Sequence, residues 1–401
     1  MSPWLSIVGI GQDGLEGLSS SARALVEGAE VLVGGERHLA LLPDDGRTRI
    51  VWPKPLSAAF DRIAAQKPRP VCILATGDPL FFGVGRMLLR HFALEEMTIL
   101  PSPSAFSLAC ARLGWSQPDV ETLTVHGRPV EALQPFVQPG ARLLILSAGA
   151  ESPAAVARLL VARGYGQSEM TVLEHLGGPQ ERHLTAAAQD WSANDVAELN
   201  TIAVACRAAP GAALLPRTPG LPDGAFRHDG QLTKREVRAA TLAALGPVSE
   251  QRLWDVGAGC GSIAIEWLRA APRSSTIAIE AKQARIGLIA ENANALGTPQ
   301  LTVIEGRAPE ALDGLPRPDA VFIGGGASGK GLFEVCWAAL KPGGRLVANV
   351  VTLEGEAALG RWQREVGGEL ARIAVSRAEP VGEFQGWRPL MPVTQFAAVK
   401  P

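Results

Sequence analysis

Residues 253–272 read LWDVGAGCGSIAIEWLRAAP. An apolar run closes on Asp255, glycines follow at alternate positions (Gly257, Gly259, Gly261), and a helical spacing of apolar residues begins at Ser262. A strand that passes into a helix through such a turn predicts an open α/β sheet, in which ligands bind at the carboxyl ends of the strands. The missing side chains let backbone approach that ligand closely. A dinucleotide fingerprint, G-x-G-x-x-G, would need its third glycine where Ser262 stands.

Here the third glycine comes one residue early and an acid precedes the turn, the arrangement typical of S-adenosylmethionine-dependent methyltransferases. That ligand carries an ammonium and a carboxylate in place of a pyrophosphate. Gly257 and Gly259 would approach them, and Asp255 would hold the ammonium directly or through water. The next apolar run, STIAIEA, ends in Glu280, placed to accept both ribose hydroxyls. LTVIEGRAPEAL then puts Gly306, Arg307 and Ala308 at a third strand end, where adenine lies in this class. The three loops in register point to an adenosyl rather than a nicotinamide cofactor. Methyl transfer from a sulfonium asks the protein mainly to align the reactants and exclude water. On the acceptor side, the fourth strand end reads Phe322-Ile323-Gly324-Gly325-Gly326-Ala327-Ser328-Gly329, without the N/D-P-P-Y of enzymes acting on exocyclic amines. Gly324, Gly325 and Gly326 leave room for a large, flat acceptor against the backbone.

A chain of 401 residues exceeds what one hydrophobic core usually holds, so two domains are expected. It is 47% hydrophobic and 19% charged with net charge −2, which argues against nucleic-acid binding through bulk electrostatics. Cys72, Cys110, Cys206, Cys260 and Cys336 are scattered, with no CxxC and no histidine pair at ligand spacing, so no metal site is expected and a reducing cytoplasm fits. A strand-like run begins almost at once, with no leader pattern, and no stretch approaches the roughly 20 apolar residues of a membrane span.

The chain divides near residue 215, where AAPGAALLPRTPGLPDG loses periodicity and alternates Pro with Gly. The expected limits are a first domain over 1–207, a linker over 208–221 and a second domain over 222–401. On both sides, strand-like runs alternate with helical ones, predicting a mostly parallel sheet in each half. The first half opens LSIVGIGQDGLEGLS, with Gly9, Gly11 and Gly14 after a strand, but no acid ends its second strand. LATGDPLFFGVG places Gly77-Asp78-Pro79 at a strand end, and LPSPSAFSLACARLG puts Ser102 and Ser104 at a helix start.

VGIG, the Gly77-Asp78-Pro79 loop, the serine turn at 101–106 and EHLGGPQERH at 174–183 resemble the tetrapyrrole methylases. QLTKREVRA, DVGAGCGSIAIEW, AIEAKQARIGLIAENA, VFIGGG and LKPGGRLVANVVTLE resemble the decarboxylating C-15 methyltransferases of corrin synthesis. Fused in this order, the halves resemble the family of precorrin-6Y C5,15-methyltransferases (decarboxylating) of cobalamin synthesis. The resemblance implies a two-lobed tetrapyrrole methylase fold followed by a Rossmann-like class I methyltransferase fold, with two S-adenosylmethionine sites and S-adenosylhomocysteine as product. In the first half it assigns Asp78, Phe81, Ser104 and Ala105 to the cofactor, with Gly11 and the Leu146–Ser147 strand end beside them. In the second it assigns Gly257, Gly259, Gly261, Glu280 and Ala308, with Thr233 closing over the site. One departure is the Gly11-Gln12-Asp13 loop, where many tetrapyrrole methylases carry Gly-Pro-Gly.

The implied acceptor is a reduced macrocycle with nucleophilic meso carbons, methylated at C-5 by the first half and at C-15 by the second, which also removes CO₂ from the C-12 acetate. The ring itself can serve as electron sink. No convincing proton donor emerges; His228, Lys234 and Glu266 are the candidates. Peripheral carboxylates need cations, for which Arg37, His38, Arg128, Lys234, Arg235 and Lys330 are available, and Trp52, Trp115, Trp254 and Trp387 offer flat surfaces. A homo-oligomer, dimer or tetramer, is expected from the resemblance. Rival readings are a methyltransferase acting on tRNA or rRNA, a non-enzymatic cofactor sensor and a nicotinamide oxidoreductase.

Overall fold

The computed structural model describes residues 3–401. They form two compact units, residues 3–130 with 139–212, and Glu131–Gln138 with Ala213–Pro401. Within the Pro/Gly-rich stretch, Leu215 and Leu221 are buried and pack with Phe226, Cys260, Ile265, Ala293 and Leu296 of the second unit.

The first unit holds two five-stranded sheets. Strands β1 (Leu5–Ile10), β2 (Val31–Gly34), β3 (Thr48–Val51), β4 (Val71–Thr76) and β5 (Met97–Leu100) make the first, in the order β3-β2-β4-β1-β5. All four pairings are parallel. Strand β1 is buried at every position and β4 at five of its six, as expected of strands covered on both faces. The second sheet, β6 (Glu121–Thr124), β7 (Arg142–Leu146), β8 (Glu169–Glu174), β9 (Arg182–Ala187) and β10 (Asn200–Ala205), runs β6-β7-β10-β8-β9. Only β6–β7 is parallel; the other three pairings are antiparallel. The expectation of a mostly parallel sheet therefore fails for this lobe. The short loop between β8 and β9 cannot carry the crossover that parallel neighbours require. The polar Arg182–Ala187 run gave no apolar signal of a strand.

The second unit is built on a seven-stranded sheet. Its strands are β11 (Arg252–Val256), β12 (Ser275–Glu280), β13 (Thr302–Glu305), β14 (Ala320–Ile323), β15 (Arg345–Val350), β16 (Glu369–Ile373) and β19 (Val393–Val399), in the order β13-β12-β11-β14-β15-β19-β16. The first five are parallel, and β19 runs antiparallel between β15 and β16. The segment ARIAVSRAEP (371–380) is divided between β16 and β17 (Ser376–Val381). The latter pairs with β18 (Phe384–Pro389) in a separate two-stranded hairpin.

Aromatic stacking fills one side of this sheet: Phe333 lies 4.6 Å from Trp362, near-parallel, and Trp362 meets Phe396 edge-on. Trp254 belongs to this core, its indole N–H donating to the Pro316 carbonyl at 3.2 Å, so it is no platform for a ligand. Trp52 and Trp115 likewise pack against first-unit cores, while Trp387 stands exposed on β18.

Between the Arg235–Leu245 and Ser262–Ala270 helices, a fully buried Arg238 donates to Glu266 at 2.6 Å. Glu266 also accepts from the backbone N–H groups of Gly220 (2.6 Å) and Leu221 (3.0 Å). Arg238 further donates to the carbonyls of Thr233 and Leu221 and to Asp223. One salt bridge thus ties the segment entering the second unit to its first glycine-led helix. Removing one member strands a buried charge. For Glu266→Ala, urea unfolding of the second unit should show a loss on the order of 3–5 kcal/mol. Glu266→Gln, which keeps one carbonyl acceptor, should lose visibly less.

Candidate functional site

The second unit carries a cavity of about 840 Å³ at the carboxyl ends of its parallel strands. Its floor is the turn after β11. The N–H groups of Gly257 and Ala258 both donate to the Ile279 carbonyl, at 2.9 and 3.1 Å, and the Gly324 N–H donates to the Val256 carbonyl at 2.9 Å. Gly257 has φ +72°, and a Cβ there would lie 3.0 Å from the Gly325 nitrogen. The glycine turn after β11 and the glycine loop after β14 therefore approach backbone to backbone, and a side chain at Gly257 would be both crowded and strained.

Glu280 is 5% exposed. Its carboxylate accepts from the Gly259 N–H at 2.8 Å and from the Lys282 N–H at 2.9 Å, and it lines the cavity with lone pairs to spare. Asp255 lies beneath the turn instead of lining the cavity. One oxygen accepts from the Ala264 N–H at 3.0 Å, and the other has no partner among the described residues. Burial pushes its carboxyl up to about 7, and the charge of Glu280 adds to the rise.

Thr233, Gly257, Gly259, Ala308 and Gly324–326 all line this cavity, as does Lys234, while Gly261 stands just beyond, opening the helix. Arg235, His228 and Lys330 do not line it. His228 is spent locally, its Nδ1 accepting from the Gly230 N–H at 3.1 Å. Glu266, with its carboxylate committed to Arg238 and two backbone donors, also lies outside. The segment 230–234 is held over the cavity by Arg285, which donates to Asp229 at 2.8 Å and Gln231 at 2.7 Å. A glycine cradle, an acid open to a diol and apolar walls such as Ile279 fit an adenosyl amino acid. The far wall, Asn349 with Val351, Ile373, Val375, Leu390, Met391 and Val393, went unrecognised from sequence. Those residues belong to β15 and to segments brought beside it by the antiparallel β19, an arrangement that periodicity does not reveal.

In the first unit, three loops converge. A Cβ on Gly9 would lie 1.8 Å from the Gly77 oxygen and 2.6 Å from the Ser102 nitrogen. The Ser102 hydroxyl donates to the Gly9 carbonyl at 2.7 Å, and its N–H to the Gly77 carbonyl at 3.1 Å. Beside them is a small pocket of about 50 Å³ whose lining includes Gly11, Gln12, Arg37, Ala105, His175 and Asn200. Asp78, Phe81 and Ser104 do not line it, but sit on the loops that supply Gly77, Pro103 and Ala105. Asp78 accepts from the Leu80 N–H at 2.8 Å, and Ser104 caps the Ala105–Leu113 helix through the Ser107 N–H at 3.1 Å. Phe81 stacks on Phe82 and leans on Phe106. Ser147 turns back on its own loop, bonded to Gly149.

Arg37 donates to the Thr76 hydroxyl at 2.9 Å and lies 3.0 Å from His38 Nε2. Burial, reinforced by Arg37, lowers His38 to about 4, so at neutral pH it is an uncharged acceptor and not a cation for substrate. Arg128 lies over the Phe82 ring. His175, which adopts φ +49°, was missed from sequence although its motif had been noticed.

The family described as tetrapyrrole (corrin/porphyrin) methylases matches residues 5–190, and the precorrin methyltransferase domain matches residues 224–400. A precorrin-6Y C(5,15)-methyltransferase [decarboxylating] from Sinorhizobium sp is 48% identical, over 100% of this chain and 97% of its own length. Cobalt-precorrin-7 C(5)-methyltransferase of Salmonella typhimurium is 33% identical over 49% of this chain and 98% of its own. A protein of Pyrobaculum aerophilum named "Probable cobalt-precorrin-6B C(15)-methyltransferase (decarboxylating)" is 34% identical over 44% of this chain and 93% of its own.

The environment of Asp255 makes stability depend on pH. Its folded-state value near 7 lies above the ordinary 3.8, so the folded protein holds the proton more tightly than the unfolded chain. Stability is undiminished below the ordinary value and is lost as pH rises through the folded one. In urea unfolding from pH 4 to pH 8, Asp255→Asn should gain on the wild type up to about pH 7 and hold a constant margin above it. A margin independent of pH would contradict the assignment.

Proposed function

The chain belongs to the family of precorrin-6Y C5,15-methyltransferases (decarboxylating), and from this we infer that it methylates its precorrin at C-5 and C-15 and removes the C-12 acetate carboxyl as CO₂, within cobalamin biosynthesis. Precorrin methyltransferases depend on S-adenosylmethionine, and we propose one site in each half, with S-adenosylhomocysteine released from both. The first half, expected over 1–207, carries C-5 methylation; the second, over 222–401, carries C-15 methylation and decarboxylation. The division is supported by the two relatives of half length, whose names carry one activity each.

The observation that carries the reading for the second half is the contact of the Gly257 turn with Gly325, beside Glu280. When bound, the cofactor supplies an electrophilic methyl on sulfonium. Gly257 and Gly259 bring backbone to its amino-acid end, Glu280 accepts the ribose hydroxyls, and Ala308 flanks the base. Gly324–326 let the flat ring lie against the backbone, so that its meso carbon faces the methyl. Arg285 holds 230–234 over the reactants and keeps water out. Lys234 lines the cavity as a cation for a peripheral carboxylate. In the first half, we propose the small pocket lined by Gly11, Ala105 and Arg37 as part of the cofactor site, with Asp78, Phe81 and Ser104 on the loops that supply its walls, Ser147 at the neighbouring strand end and Arg37 as the cation.

Among the described residues no helix is long and apolar enough to cross a membrane, and we place the enzyme in the cytoplasm. We also propose a homo-oligomer, dimer or tetramer. The β17–β18 hairpin supports this by presenting Val381, Phe384 and Trp387, at 63%, 78% and 78% exposure, to solvent. The double variant Phe384→Ser/Trp387→Ser should sediment as a smaller species than the wild type. Equal sedimentation would remove the hairpin from the interface.

Mass spectrometry of the protein supplied with S-adenosylmethionine and its precorrin should show two added methyls and one lost CO₂. Gly257→Val, which puts a branched side chain into the Gly325 backbone, should leave a product that lacks the C-15 methyl and keeps its carboxyl. Loss of CO₂ by that variant at the wild-type rate would overturn the assignment of activities to halves. A tRNA or rRNA acceptor would show as methylated nucleic acid whose yield falls steeply with salt.

A further inference from the structure

One wall of the second-unit cavity is unlike the rest. Val351, Ile373, Val375, Leu390, Met391 and Val393 are all aliphatic, and a single polar side chain, Asn349, stands among them. The ionisable residues of the lining, Lys234, Glu280, Arg285 and Arg307, come from other elements. Asn349 and Gln395 are direct cross-strand partners on β15 and β19, so their side chains share one face of the sheet. There they meet Thr241, fully buried on the Arg235–Leu245 helix.

The network fixes which way the amide of Asn349 faces. The Thr241 hydroxyl donates its one proton to the Val237 carbonyl at 2.7 Å. It can only accept from the side chains, and it does so from Asn349 Nδ2 at 2.7 Å and Gln395 Nε2 at 3.1 Å. Gln395 Nε2 also donates to Asn349 Oδ1 at 3.0 Å. The carbonyl oxygen of Asn349 is thus engaged and one N–H is spent on Thr241. The second N–H has no other partner among the described residues, on a side chain that lines the cavity.

We propose that this wall is the subsite for the acetate group lost as CO₂, with Asn349 as the residue that positions its carboxylate. The inference rests on the decarboxylating function proposed above. A carboxylate held by one neutral N–H against aliphatic side chains loses most of its hydration. Its charge disperses as CO₂ forms, so an apolar site hinders the reactant more than the transition state. In the step, the bond between the acetate methylene and carboxyl carbons breaks. Its electron pair passes into the conjugated imine of the ring as CO₂ departs, leaving an enamine; the pair returns as the methylene carbon takes a proton from water, which restores the imine and makes the methyl. A cation at the carboxylate would favour the reactant, and none lines this wall.

The test measures C-15 methylation and CO₂ release separately, by mass spectrometry of the product of the full-length enzyme. Asn349→Leu removes the donor at similar size. Its ratio of CO₂ release to methylation should fall about 10-fold or more, the scale of a hydrogen bond to a charged group. Val375→Thr leaves the Thr241 network intact and readmits a polar group to the wall; its ratio should fall several-fold. Cofactor affinity, measured by calorimetry, should stay at the wild-type value in Val375→Thr, so that variant keeps the test decisive if Asn349→Leu folds poorly. A wild-type ratio in Val375→Thr, or a parallel fall of both activities in the two variants, overturns the proposal. A wild-type enzyme that methylates without releasing CO₂ overturns instead the reading on which it rests.

Discussion

The second unit depends on a backbone contact that leaves little room for a side chain at Gly257. At Gly257 the turn after β11 presses on the loop after β14, with Gly325 as its neighbour. The hydrogen bonds that set this distance come from the sheet itself: Ile279 holds Gly257 and Ala258, and Val256 holds Gly324. Parallel registry of β11 with β12 and β14 places those carbonyls. The two glycine loops are therefore assembled on one floor, and their alignment is inherited from the strands. The first unit solves a similar problem at Gly9, where the turns at Gly77 and Ser102 close in.

Buried charge is used in distinct ways around this floor. Arg238 and Glu266 satisfy each other and several backbone groups, and so act as a structural clasp. Asp255 is buried with one oxygen that has no partner among the described residues, and burial raises its proton affinity. The Glu280 carboxylate is anchored by two backbone N–H groups while facing the cavity. Lys234, Arg285 and Arg307 gather on the other elements of the lining, leaving the β15–β16 side apolar but for Asn349. A single cavity thereby offers a polar half suited to an adenosyl amino acid and a dry half suited to losing a charged group. Arg238 also donates to the Thr233 carbonyl, so the pair that stabilises the fold holds the end of the 230–234 segment as well.

Local sequence was sufficient where backbone turns meet one another near a strand end. The alternate glycines at 257–261, the acid at Glu280 and the glycines at 324–326 each announce themselves, because a close approach or a strand-end acid constrains residue type at a fixed spacing. The strands of the parallel sheets were readable for the same reason: burial on both faces forces continuous apolar runs. What the chain does not announce locally is decided by strand pairing. The polar β9 becomes a strand only because β8 offers it an edge, and the short loop between them makes the lobe largely antiparallel. Glu266 looks like a free acid on a helix until Arg238 and the 220–221 backbone surround it. Asn349 acquires a direction only when β19 folds back beside β15 and brings Gln395 to the same face as Thr241. Sequence determined the two glycine-lined floors and the residue types they need, whereas tertiary structure decided which polar groups remain available to a ligand, because availability depends on partners far away in the chain.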